Sequence, residues 1–190
     1  MISSSELMTV TKLDAARRHL STAIRLWFAD GDPVSIHTLS YAAYEVIHVL
    51  SRQANRQDKL IFDSDSIKDE FRSDFNKLVK RAPNFFKHAD KDPIGTVEFV
   101  PQLSEMFFLF SSLGIETMGL KLGGEEKAFL IWLTIHNPKI MVEGAMKNFL
   151  QGFPVETIEE VKIMPKPEFF MHVMSGHTRG LQVVFHRIGK

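Results

Sequence analysis

Arg81 and His88 are the two residues whose types and spacing best suit a chemical step. They stand seven positions apart in the stretch Arg81-Ala82-Pro83-Asn84-Phe85-Phe86-Lys87-His88. A guanidinium pairs with phosphate through a planar fork of donors and stabilises charge that develops in a transition state. An imidazole titrates near neutral pH, so it can move the proton of a ribose hydroxyl. Seven residues is nearly two helical turns, which would put both side chains on one face of a continuous helix. Pro83 opposes that continuity, because proline lacks an N–H and crowds the preceding turn; a break or restart is expected there. The surroundings are basic. Over residues 72–91, Arg72, Lys77, Lys80, Arg81, Lys87 and Lys91 outweigh Asp74 and Asp90 by four charges. Lys77, Lys80, Asn84, Lys87 and Lys91 are therefore the candidate phosphate or RNA contacts. The structural alternative is that these cations serve a helix C-terminus, with Phe85 and Phe86 anchoring the turn.

A helical chain carrying an arginine followed after four to six residues by a histidine resembles the HEPN superfamily, named for higher eukaryotes and prokaryotes nucleotide-binding. The resemblance implies a metal-independent ribonuclease of the toxin–antitoxin or phage-defence type. It implies a homodimer in which two motif copies share one cleft, and a protein partner such as an antitoxin. Arg81 would be the motif arginine and His88 its histidine. Ala82 stands where active members usually carry a polar residue, and Pro83 is a further departure. The segments Asp30–His37 and Asn84–Asp90 also resemble stretches of bacterial proteins without an assigned activity, which implies a bacterial origin. The other function class left open is a non-catalytic helical module for protein interaction or oligomerisation.

A second group of polar residues lies between positions 37 and 48: His37, Tyr41, Tyr44, Glu45 and His48. Steps of four, three and four put His37, Tyr41, Tyr44 and His48 on one helical face. Glu45 and His48 have the one-turn spacing that helical di-iron sites use, but no second Glu-x-x-His exists in the chain. His37, Glu45 and His48 are thus weak metal candidates, and no metal or other cofactor is expected. The plainer reading is a polar stripe at a helix–helix or subunit contact. The C-terminal stretch is basic as well: Lys162, Lys166, His172, His177, Arg179, His186, Arg187 and Lys190 face Glu168. Such a segment could meet RNA or an acidic partner, or be a solvated edge.

Composition narrows the classes. With 23 basic and 23 acidic residues, the 190-residue chain has no overall charge to draw it onto nucleic acid. There is no cysteine, hence no disulfide, thiolate metal site or cysteine nucleophile. No phosphate-cradling glycine loop, Gly-x-Ser-x-Gly elbow or His-Glu-x-x-His pair is present. Met1–Lys12 lacks the apolar run of a secretory leader, and no stretch reaches the length of a membrane span. A cytoplasmic protein without a membrane partner is expected.

The elements that must position these residues are helices. Apolar positions recurring at three and four residues predict helices from about Ser5 to Phe28 and from Pro33 to about Gln53, the second capped by Asp32. A third is expected from Ser66, with Ile67, Phe71, Phe75, Leu78 and Val79 facing inward, and a short turn of helix over Asn84–Ala89. Further helices are expected over Gln102–Lys121, with Leu103, Met106, Phe107, Phe110, Leu113 and Met118 packed, and over Glu125–His136 and Lys139–Leu150. Glu125–His136 is apolar nearly all round, as a helix in the middle of a bundle must be. After that, Val155–Val161 and Phe169–Met174 are short candidate segments and Gly180–Ile188 is ambiguous. The expected fold is all-α: an antiparallel bundle of five or six helices over 1–152. A less regular C-terminal appendage, 153–190, packs on the same domain.

Overall fold

The structure is a computed structural model; it describes residues 7–54, 60–90, 92–140, 152 and 154–176. These form seven α-helices and no strand: α1 (Lys12–Phe28), α2 (Pro33–Gln53), α3 (Asp69–Lys87), α4 (Leu103–Thr117), α5 (Gly124–His136), α6 (Val155–Ile163) and α7 (Lys166–Ser175). Two 3-10 turns, Ile61–Asp63 and Pro138–Ile140, join them. None of these helices is long and apolar enough to cross a membrane. The expected helix over 139–150, Lys91, the ambiguous stretch 180–188 and the tail residues from His177 onward lie wholly or mainly outside the described residues.

Helix α1 starts at Lys12, not Ser5, because Thr11 caps it. The Thr11 hydroxyl accepts from Asp14 N at 3.1 Å and Thr11 N donates back to Asp14 Oδ2 at 3.3 Å. It ends in a Schellman motif: Asp30 N donates to Trp27 O and Gly31 N to Leu26 O. Asp30, not glycine, takes the left-handed position, at φ 51°. Gly31 is needed for space, since a Cβ there would sit 3.0 Å from Leu26 O. Asp32 caps α2 as expected, accepting from Ser35 N at 2.7 Å, with Pro33 in the first turn. The short turn folds α2 back along α1.

Helix α2 divides two packed regions. On one side Ile36, Ala43 and Ile47 join Leu20, Ile24 and Phe28 of α1, Phe108 and Ile115 of α4, and Phe129, Ile131 and Leu133 of α5. Helix α5 is central, as its all-round apolarity required. Helices α6 and α7 pack on it, through Val161, Phe169 and Val173. On the other side Tyr41 and Tyr44 pack with Leu60, Ile61, Phe62, Val79 and Phe107. Gly114 lets α4 come close between the two regions, for a Cβ there would lie 2.6 Å from Ile47 Cγ2 and 3.0 Å from Leu60 Cδ1.

Helix α3 differs most from expectation. It starts after Lys68 rather than Ser66, and it runs unbroken through Pro83 to Lys87. Proline costs an intrahelical hydrogen bond, and here burial of Val79, Ala82 and Pro83 offsets it. Of the residues expected to face inward, only Val79 is buried. Phe71 is 59% and Leu78 67% exposed, while Phe75 packs against the Tyr44–Phe62 cluster and Asn76 donates to Phe62 O at 3.0 Å. On α4, Leu113 is likewise exposed, while Phe107, Phe108 and Ile115 fill the inward face. That helix ends at Thr117, short of Lys121, where Gly119 takes a positive φ.

Candidate functional site

Because α3 continues through Pro83, Arg81, Asn84 and His88 fall on one side of its last two turns. Together with Phe85, Asp92, Thr96 and Val97 they line an open pocket of about 260 Å³. His88 is the C-cap residue, and its side chain is 48% exposed, with Nδ1 4.0 Å from Asp90 Oδ1. Arg81 is exposed too. The pocket thus offers a guanidinium, an amide, an imidazole and the Asp92 carboxylate to a ligand entering from solvent.

The neighbouring lysines are directed elsewhere. Lys77 Nζ pairs with Asp74 at 2.9 Å. Lys80 Nζ lies 4.3 Å over the Phe62 ring, and Lys87 Nζ lies 5.0 Å over Tyr41 and 3.9 Å from Glu45 Oε2. Of the five candidate phosphate contacts, Asn84 lines the pocket; Lys77, Lys80 and Lys87 do not, and Lys91 lies outside the described residues.

The stripe on α2 is structural in geometry. His37 is 1% exposed, wedged among Phe86, Phe99 and Phe107, with Nδ1 3.0 Å from Ser104 Oγ. Burial lowers its pKa from 6.5 to about 4, so it is neutral near physiological pH. Tyr44 OH accepts from Phe62 N at 3.2 Å, and Tyr41 OH donates to Glu45 Oε1 at 2.8 Å. Both phenols are held neutral, chiefly by burial. His48 sits 3.9 Å from Asp63 Oδ1; burial lowers its pKa and the Asp63 carboxylate opposes that. His37, Glu45 and His48 therefore meet three different sets of partners. Among the described residues no three His, Asp or Glu gather as metal ligands.

The sequence reading missed a larger pocket, of about 340 Å³, between the α1–α2 turn and the starts of α4 and α7. Trp27, Asp30, Ser104, Glu105 and Lys166 line it. Lys166 Nζ pairs with Asp30 at 2.6 Å, donates to Trp27 O at 3.1 Å and lies 4.4 Å over the Trp27 ring. Burial raises the pKa of Glu105, opposed by the Trp27 side chain and Lys166. These residues come from three distant stretches, and no local motif joins them. Compared with protein-family models, curated proteins and solved structures, the chain matches none.

Proposed function

We propose that this chain is a HEPN-like helical domain that binds or cleaves RNA without metal, in the cytoplasm of a bacterial cell. The observation that carries the reading is the shared pocket of Arg81, Asn84 and His88. In this scheme Arg81 pairs with the non-bridging oxygens of a phosphodiester. His88 takes the proton of the 2′-hydroxyl, and that oxygen attacks phosphorus. The 5′-oxygen leaves and takes a proton from solvent or from the second histidine of a dimer. The products are a 2′,3′-cyclic phosphate and a 5′-hydroxyl end.

The test is cleavage of a mixed RNA pool in chelator by the native chain, Arg81→Ala and His88→Ala, with circular dichroism to match folding. Native cleavage lost in both variants supports the assignment. Equal cleavage by all three, or none by the native chain, removes it.

A second reading, oligomerisation without catalysis, is favoured by the face of α3. Phe71, Phe75 and Leu78 recur at four and three residues, and Phe71 and Leu78 are largely exposed. The first half of the helix carries Asp69, Glu70 and Asp74 against Arg72 and Lys77; the second carries Lys80, Arg81 and Lys87 and no acid. Two copies packed antiparallel about a two-fold axis would bury the apolar seam and set each acidic half against a basic half. Sedimentation equilibrium of the native chain and Leu78→Glu tests this: a dimer that Leu78→Glu turns into a folded monomer supports it. A native monomer at all concentrations ends it.

A further inference from the structure

A second cationic depression lies away from α3. Arg17, Arg18, Ser21, Thr22 and Arg25 of α1 line a groove of about 220 Å³. Arg17, Ser21 and Arg25 follow one another at four-residue steps on one ridge of the helix, and Arg18 and Thr22 sit on the next. Two of the guanidinium groups are fixed in place. Arg17 Nη2 donates to Lys121 O at 2.9 Å, and Arg25 Nε donates to Glu125 Oε1 at 2.8 Å. Arg18 reaches Met8 Sδ at 3.6 Å, a weak acceptor that a stronger one would displace. Three acids border the groove. Glu125 is bound by Arg25, and hydrogen bonds from Thr11, at 2.7 Å from its hydroxyl, lower the pKa of Asp14, as do Arg18 and Arg17, so Asp14 faces those two arginines as a carboxylate. Glu126 is buried, and burial pushes its carboxyl toward the neutral form. Three guanidinium groups and two hydroxyls thus line the groove; Arg25 is paired with Glu125, which leaves Arg17 and Arg18 as its source of positive charge.

We propose that this groove binds phosphate oxyanions, and that their source is the backbone of a single-stranded RNA. Guanidinium forks match non-bridging phosphate oxygens, and Ser21 and Thr22 supply further donors. Naming RNA as the source rests on the reading in the previous subsection; the phosphate chemistry does not. The groove and the Arg81 pocket share no lining residue.

The experiment is fluorescence anisotropy on the full chain, with a labelled single-stranded RNA of about 12 nucleotides. The proteins are native, Arg18→Ala, Arg18→Lys and Arg81→Ala. Arg18 is exposed and anchors no helix, so its variants keep the fold. Arg18→Ala is expected to weaken binding about tenfold and to lower the slope of log affinity against log salt by about 0.7, one phosphate contact to a single strand. Arg18→Lys keeps the slope but recovers only part of the affinity, because the fork is lost. Native-like binding by Arg18→Ala overturns the proposal, whatever Arg81→Ala does. A loss in Arg18→Ala with none in Arg81→Ala upholds the groove and counts against the Arg81 site. Competition by a nucleoside diphosphate at an affinity equal to that of the RNA overturns the RNA source.

Discussion

The two sides of α2 are built on different physics. Toward α1, α4 and α5 the core is aliphatic and aromatic, and Trp27 meets Phe28, Phe108, Phe129 and Trp132 edge to face. Toward α3 the packed side chains carry polar atoms: Tyr41, Tyr44, His37 and His48 surround Phe62 and Phe107. An apolar core tolerates many arrangements of similar volume and is held by area. A polar one must satisfy each buried donor and acceptor, so it dictates where its neighbours lie. That is why a 3-10 turn at Ile61–Asp63 can hold station against α2, through Tyr44 OH and Phe62 N. The side of the molecule that carries Arg81 and His88 thus leans on single hydrogen bonds, those of Tyr44 and His37 among them.

The sharpest way to break this comparison is to hollow out the apolar side. Phe129→Ala should cost about 3–5 kcal/mol, read from urea unfolding followed by tryptophan fluorescence. An effect under about 1 kcal/mol would mean that α5 is not central. Next comes acid. His37 is folded with a pKa of about 4 against 6.5 when unfolded, so between those values the unfolded chain binds a proton that the folded chain refuses. Stability conferred on the neutral form is present above pH 6.5 and falls as pH drops toward 4, by about 3 kcal/mol for this group. His37→Gln, which can still bond Ser104, should flatten that part of the unfolding profile; an unchanged profile would show that His37 is not the titrating group. Smaller is Tyr44→Phe, which leaves Phe62 N without its acceptor and should cost about 1–3 kcal/mol. Amide exchange should speed up in the 61–63 turn and α3 before it does in α5. Smallest is Thr11→Ala, removing the α1 cap for about 1 kcal/mol and fraying its first turn, seen by the same exchange experiment.

Much of this fold can be read locally. The Asp32 cap, Pro33 in the first turn and the periodic stripes place α2 to the residue, and the all-round apolarity of Glu125–His136 marks α5 as the central helix. Arg81 and His88 could be paired from spacing alone, and the structure does bring them to one pocket. The α1 arginines could have been found the same way, since four-residue steps join Arg17 to Ser21 and Arg25. The pocket of Trp27, Glu105 and Lys166 could not, because its residues meet only when α1, α4 and α7 dock.

What the sequence determined by itself was the main helices, the bounds of α2 and α5 and the candidate cluster at 81–88. Those depend on interactions within a few residues: capping, steric limits and side-chain periodicity. Tertiary structure decided which stripe met a partner. Phe71 and Leu78 repeat like core residues yet face outward, while His37 and His48 look like surface groups yet are buried. The reason is that burial belongs to pairs of surfaces. A stripe records that a helix can bury a face, and only the packing of the other helices settles which face is covered.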